Sequence, residues 1–389
     1  MGASAALGDL TVLDFSSVGP GARCARILAD YGATVVKVGA PRRAGTVQIE
    51  APFHAYAGGR GMKRVRVDLK AAEGRAALLR LAARADVLIE SFRPGVAARL
   101  GIGYDDLRRV NERIVYCSTS GYGQRGERAR WAGHDLDYLA VGGFLHMSGR
   151  RADGGPALPG ATIADAAAGG MHATIAILAA LVHRGATGQG AYLDVSVADG
   201  VASLMALAVD QYLATGEEPG PGRDLLSGRY ACYDVYTAGD GQWLAVAAIE
   251  PAFWANLCRA LGLERWIDSQ LDDGSQEAIR ADLRAAFAAH GRDEWTERLA
   301  AADTCVAPVQ SVAELARDVQ LAARGAFVWA EHPERGRFQQ LAPLLAGALR
   351  EPGPVVLRGA DETDTFELLE AAGVAAQEIE RLQHEGVIA

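Results

Sequence analysis

The chain is almost without lysine. Among 389 residues there are only three, Lys37, Lys63 and Lys70, all near the start. The net charge is −9, which argues against general nucleic-acid affinity. The lysines stand among Arg42, Arg43, Arg60, Arg64 and Arg66. That cluster is either a solvated basic face or an anion site, better suited to a small polyphosphorylated ligand than to a long polyanion. Five cysteines (Cys24, Cys117, Cys232, Cys258 and Cys305) are scattered, with no CxxC pair. This excludes a disulfide framework and a zinc site of the usual spacing, and fits a reducing cytoplasm. Neither GxGxxG nor a Walker pattern occurs, and Gly19-Pro20-Gly21 resembles a phosphate loop only loosely. A nicotinamide or ATP site is therefore not expected. His54, His183, His290, His332 and His384 have no ligand spacing with carboxylates, so no metal is expected. No basic flank followed by an apolar core opens the chain, and no secretory signal is expected. The longest apolar stretch, His172 to His183, falls short of the ~18–20 residues of a membrane span and reads as a buried helix. No membrane or nucleic-acid partner is expected.

What is present reads as two domains. Half of the residues are hydrophobic and 22% are charged, an ordinary globular balance. Strand patterns at Leu10–Phe15, Thr34–Val38, Arg64–Leu69, Asp86–Phe92 and Ile114–Thr119 alternate with helical ones at Ala22–Asp30 and Ala71–Ala85. That alternation predicts an α/β fold with a mostly parallel sheet covered on both faces, its ligands beyond the carboxyl ends of the strands. One helix is expected from Asp165 to about His183, a strand at Ala191–Val197 and a helix at Ala198–Thr215. The large domain is expected over 1–215, completed by a return at 335–389. A Gly/Pro-rich linker is expected at 216–228 and a smaller α+β domain at 229–330. There a hairpin of Ala231–Thr237 and Trp243–Ala248 is followed by helices from Pro251 to about Leu315.

Three titratable residues stand at element junctions: His134, Asp165 and Glu250. Histidine has an unperturbed pKa of about 6.5 and serves as acid or base near neutrality. A carboxylate partners it if burial raises its pKa. At Asp165 a helix start favours the charged form while a bound acyl chain would oppose it. Free N–H groups at that helix start are expected to steady a thioester oxygen. Each residue also has a plain structural reading. Asp165 serves as an N-cap, His134 as a polar helix start, and Glu250 as the residue before Pro at the first helical position.

Several motifs in order resemble the CaiB/BaiF, or class III, CoA-transferase family: Leu10–Phe15 with Gly19-Pro20, Gly59-Arg60 through Val67-Asp68-Leu69-Lys70, Ser91-Phe92-Arg93-Pro94-Gly95-Val96, Arg99-Leu100-Gly101, Ser120-Gly121-Tyr122-Gly123-Gln124 and Asp165. Within it, Gly133-His134-Asp135-Leu136-Asp137-Tyr138 and Ala248-Ile249-Glu250-Pro251 resemble the alpha-methylacyl-CoA racemase branch. The resemblance implies a large Rossmann-like CoA-binding domain, a smaller domain, and an interlocked homodimer with its active site between one subunit's large domain and the other's small domain. It implies His134 and Asp165 as the acid/base pair with Glu250 in support. CoA would be held by Val67, Asp68, Leu69, Lys70, Ser91, Phe92, Arg93, Arg99, Gly133, Asp135 and Tyr138. The basic cluster would pair with the CoA phosphates, and no cofactor beyond the CoA of the substrate is implied.

Two departures stand out. Ala40 occupies a position that is basic in the racemases, leaving Arg42 or Arg43 to substitute. The stretch after Asp165, Gly-rich in the racemases, is Ala166-Ala167-Ala168-Gly169-Gly170 here. The expected activity is inversion of the alpha-carbon of a 2-methylacyl-CoA by two-base proton transfer through an enolate. The alternative is CoA transfer, with Asp165 as the nucleophile. A non-catalytic acyl-CoA-binding protein would leave three ionisable groups without a purpose.

Overall fold

The computed structural model describes residues 6–42, 52–55, 59–343, 355–359 and 361–389. The chain runs β1 (Thr11–Asp14), α1 (Gly19–Asp30), β2 (Thr34–Gly39), β3 (Lys63–Arg66), α2 (Ala72–Ala82), β4 (Val87–Glu90), α3 (Val96–Arg99), α4 (Tyr104–Val110), β5 (Val115–Ser120), α5 (Asp135–Val141) and α6 (Phe144–Met147). A π-helical segment, Ala164–Met171, leads into α7 (His172–Thr187), β6 (Ala191–Ser196), α8 (Val197–Leu204) and α9 (Ala206–Thr215). There follow β7 (Tyr233–Thr237), β8 (Trp243–Ala247), α10 (Pro251–Leu261), α11 (Gln276–Phe287), α12 (Arg292–Ala301), β9 (Val306–Pro308) and α13 (Val312–Leu315). The chain closes with α14 (Val319–Ala323), β10 (Phe327–His332), β11 (Gly336–Leu341), β12 (Val355–Val356), α15 (Thr365–Ala371) and α16 (Ala376–His384).

The first compact unit comprises residues 1–143, 159–206 and 319–389. Its sheet has the order β3-β2-β1-β4-β5-β6, with every neighbouring pair parallel. This is the doubly wound order, in which the connections reverse direction between β1 and β4 and open a crevice there. Both faces of the sheet are covered, so its central strands are buried along their whole length: all four residues of β4 and all six of β5 are buried, apolar at first and polar toward the carboxyl ends, at Glu90 and Ser118–Ser120. Successive residues feed opposite cores. Val12, Val87, Ile89 and Cys117 pack with Leu28 of α1 and Ile177 of α7. Leu13, Leu88 and Tyr116 pack with Leu78 of α2 and Leu382 of α16. The last residues cap the edge strand, where the Asp68 N–H donates to the Val387 carbonyl at 2.8 Å and Val67 pairs with Ile388.

The second unit comprises residues 144–158 and 207–318. Its antiparallel sheet β7-β8-β9 carries α10, α11 and α12 around buried Trp254, Phe287 and Tyr236.

Several expectations need correction. The helical stretch to Leu315 is broken by β9, reached through Asp303 and Cys305, both in the left-handed region at φ 54° and 53°. Ala198–Thr215 is two helices separated at Met205, and the division between units falls there rather than at 216–228. Residues 319–330 lie with the first unit, because β10 pairs with β11 and β12 in a sheet of that unit. The helix expected over Ala22–Asp30 begins three residues earlier, at Gly19. The apolar helix is also longer than His172–His183. It is continuous over Ala164–Thr187, by length and composition enough to cross a membrane, although part of it is buried inside the protein.

Candidate active site

Asp165 is the second residue of the π-helical segment, after Ile163, which is itself helical at φ −69° and ψ −42°. It is therefore not the N-cap that its sequence position suggests. Its carboxylate lies over the start of α1. A Cβ built on Gly19, whose φ is +72°, would stand 3.8 Å from Asp165 Oδ2. Glycine there supplies the left-handed turn from β1 into α1. The close approach of α1 to the π-helical segment requires two further glycines. A Cβ on Gly169 would meet Pro20 Cβ at 2.4 Å, and one on Gly170 would meet Arg23 Cβ at 2.5 Å.

His134 is the N-cap of α5, with extended backbone at φ −127° and ψ 179°. Its N–H donates to Asp137 Oδ2 at 2.9 Å, which fixes the turn. Its ring is exposed and has no hydrogen-bond partner among the described residues. One residue further on, Asp135 Oδ1 accepts the Asp165 N–H at 2.8 Å and ties the start of α5 to the π-helical segment. Tyr138 donates its hydroxyl to the Gly133 carbonyl, and its ring lies where a Cβ on Gly133 would come within 2.7 Å of it.

These groups feel one another. Burial, then the Asp135 charge, raises the Asp165 pKa above its ordinary value, while Arg23 and His134 pull it down. Burial, then Asp165, pushes the Tyr138 hydroxyl up to about 12. The side chain of Arg23 reaches Thr162 Oγ1 at 3.0 Å. Arg23 was not singled out in the sequence, although its place one turn after Gly19 was a signal for it. The expected free N–H groups are a correction. The Asp165 N–H is taken by Asp135, and the Ala166 N–H donates to the Thr162 carbonyl at 3.0 Å.

Glu250 lies in the second unit as the N-cap of α10, directly before Pro251. Its side chain is exposed and has no hydrogen-bond partner among the described residues.

The candidate CoA residues divide among three places. Val67, Asp68, Leu69, Lys70 and Phe92 line a cavity of about 830 Å³ at the carboxyl ends of β1, β2 and β3. Arg93 lines a second cavity of about 500 Å³ with Glu90, Tyr116 and Tyr192. Ser91 bonds Thr119 Oγ1 at 2.6 Å. Glu90 is buried, and burial raises its pKa. It accepts the Phe92 N–H at 2.7 Å and so holds the Ser91–Arg93 turn. The side chain of Arg99 has no hydrogen-bond partner among the described residues, and its Nη1 would stand 3.4 Å from a Cβ on Gly95.

The basic cluster is less available than its composition suggests. Lys37 pairs with buried Asp14 at 2.6 Å, Lys63 with Glu367 at 2.8 Å and Arg42 with Asp361 at 2.6 Å. Arg60 donates to the Leu341 carbonyl and Arg64 to that of Gly359. Arg43 lies outside the described residues. Lys70 keeps its ammonium free of hydrogen-bond partners among the described residues. Ala40 leaves its part of the cavity wall uncharged, while Arg66 Nη1 stands 3.5 Å from the Ala40 carbonyl.

A family model described as CoA-transferase family III matches residues 7–355. A Homo sapiens protein named alpha-methylacyl-CoA racemase is 34% identical, across 98% of this chain and 97% of that protein. A Haloarcula marismortui protein named succinyl-CoA:mesaconate CoA-transferase is 32% identical, across 95% of this chain and 97% of that protein. Among solved structures, a CAIB/BAIF family protein from Brucella suis superposes with a TM-score of 0.75 at 26% identity, covering 95% of this chain and 99% of that one.

Proposed function

Because the chain belongs to CoA-transferase family III, we propose that it is a racemase or epimerase acting on 2-methylacyl-CoA thioesters. One of His134 and Asp165 removes the proton from C2, leaving the electron pair on an enolate. The other returns a proton to the opposite face, and the C2–H bond reforms with inverted configuration. No bond to CoA is broken, so the chemistry needs no group beyond the CoA that the substrate carries. Glu250 supports His134 in this reading. The observation that carries it is geometric: His134 is the N-cap of α5, and the next residue, Asp135, accepts the Asp165 N–H at 2.8 Å, which brings the two candidate bases to one junction. A carboxyl with a raised pKa is also a better match to alpha-proton transfer than an ordinary aspartate. The enzyme works as an interlocked homodimer, and its unpaired cysteines fit the cytoplasm.

A second reading is CoA transfer. No described residue hydrogen-bonds the Asp165 carboxylate, which leaves it available as a nucleophile. Attack on an acyl-CoA carbonyl releases CoA thiolate and forms a mixed anhydride. The thiolate then attacks the aspartyl carbonyl of the anhydride, releasing the first acyl group as its carboxylate and leaving an aspartyl-CoA thioester.

Proton exchange separates the two. Wild-type enzyme with a 2-methylacyl-CoA in heavy water, and no acid acceptor, is expected to incorporate deuterium at C2 with loss of chirality by NMR. Asp165→Ala and His134→Ala are each expected to lower that exchange by about 10²–10⁴-fold. Absence of exchange in wild type, with CoA transfer once carboxylic acids are added, would establish the transferase. A His134→Ala enzyme that racemises normally would remove the two-base proposal.

A further inference from the structure

One wall of the 830 Å³ cavity comes from a part of the chain far from the candidate CoA residues. Its apolar floor is Val38, Val65, Val67 and Leu69, at the carboxyl ends of β2 and β3. The lining also includes the end of β10 and the turn between β10 and β11, which contribute His332, Glu334 and Arg335. That turn is held in place. His332 is buried and its Nδ1 accepts the Glu334 N–H at 3.1 Å, while Gly336 closes the turn at φ +70°. Phe53, from the opposite side, packs edge-on against His332 and Phe338, with ring centroids 5.4 and 5.2 Å away.

Arg335 is the unusual member of this wall. Its guanidinium carbon lies 5.8 Å from the centre of the Phe53 ring, and among the described residues it has no carboxylate or carbonyl partner. Of the other cations that line the cavity, Lys37 is bound to Asp14 and Arg358 to Asp364 and Glu362, while Lys70 shares with Arg335 the lack of an acceptor among the described residues. A cation stacked on an aromatic ring at a cavity wall keeps its N–H groups for another acceptor. Glu334 on the same turn adds a negative charge, but cations outnumber acids among the lining side chains. An apolar floor, an aromatic rim and a spare guanidinium fit a phosphorylated nucleotide better than an acyl chain.

We propose that the β10–β11 turn clamps the nucleotide half of CoA, with Arg335 pairing to one of its phosphates. This rests on the reading of the protein as a CoA-thioester enzyme, whichever reaction it performs. The test is calorimetric binding of CoA, 3′-dephospho-CoA and pantetheine to full-length wild-type protein and to Arg335→Gln. Arg335 is exposed, and circular dichroism verifies that the variant folds. Loss of a charge-assisted bond is expected to weaken CoA binding by about ten-fold or more, with pantetheine unaffected and Arg335→Lys partly restoring affinity. If the partner is the 3′-phosphate, wild type and variant bind dephospho-CoA alike; if it is the diphosphate, the loss persists with dephospho-CoA. Either pattern supports the clamp. Unchanged CoA affinity in Arg335→Gln, with wild type preferring CoA to pantetheine, overturns the clamp and leaves the CoA reading standing. A wild-type protein that binds CoA no better than pantetheine overturns both.

Discussion

Asp165 is an acid whose neighbours pull in opposite directions. Burial and the Asp135 carboxylate favour its protonated form, while Arg23 and protonated His134 favour its ionised form. If ionised Asp165 takes part in the reaction, kcat/KM falls as the pH drops through its pKa, which lies above the ordinary aspartate value of 3.8. The sign of each neighbour's effect is then testable. Asp135→Asn removes a negative charge but keeps the oxygen that accepts the Asp165 N–H, so the acid limb of the pH profile should move to lower pH. Arg23→Gln removes a positive charge and should move the limb upward. A pH–rate series on both variants checks this, and a limb that moves in neither would mean that another group titrates. At this scale the sequence already nominated His134 and Asp165. It did not reveal that the backbone N–H groups near Asp165 are occupied, since one acceptor lies thirty residues upstream, at Asp135. Nor could it show that Lys63, Arg42 and Arg64 are held by residues beyond position 350. Partners so distant in sequence leave no local pattern.

The π-helical segment is the element that places Asp165, and its glycines are what bring it against α1. Gly169 and Gly170 have no room for a methyl group beside Pro20 and Arg23. Gly169→Val should therefore push α1 and the segment apart, costing about 1–3 kcal/mol by overpacking. Because Asp165 lies on that segment, proton exchange should fall along with the melting temperature. Thermal unfolding and the heavy-water assay on one preparation would show both, and a variant that melts early yet exchanges normally would separate packing from positioning. Elements with strong periodicity or uninterrupted apolar runs were legible, including all six strands of the parallel sheet. Those missed had weak local signals. β9 is three residues long and follows two left-handed residues. β10 does alternate, with Val328, Ala330 and His332 buried. That alternation was available to be read, but it fell at an expected domain boundary.

At the scale of the whole molecule, two apolar surfaces, on α7 and on α9, have no covering element among the described residues. On α7, Ala173, Ile177 and Ala180 are buried in the core against the sheet, while Ile175 and Val182, with Met171 at the end of the π-helical segment, are 66%, 77% and 52% exposed. On α9, Leu207 and Leu213 are 70% and 75% exposed. A helix that is apolar on both sides is normally buried on both, and apolar stripes of this kind mark contact with another chain. A second copy is the occupant that the proposed homodimer supplies. A dimer that merely meets face to face and one whose chains interlock differ in how they come apart. The first exchanges subunits by dissociation, and Val182→Glu should weaken it by about a hundredfold or more, since burying an unpaired carboxylate costs several kcal/mol. The second cannot release a subunit without unfolding, so exchange can be no faster than global unfolding. Mixing two differently labelled preparations and following mixed dimers by native mass spectrometry distinguishes them. Persistence of the two parental dimers over hours at 25 °C, with mixing only after denaturation and refolding, is the outcome expected of interlocked chains. Rapid mixing would retain the dimer but remove the interlocking, and a monomer at all concentrations would leave the stripes on α7 and α9 to some other partner.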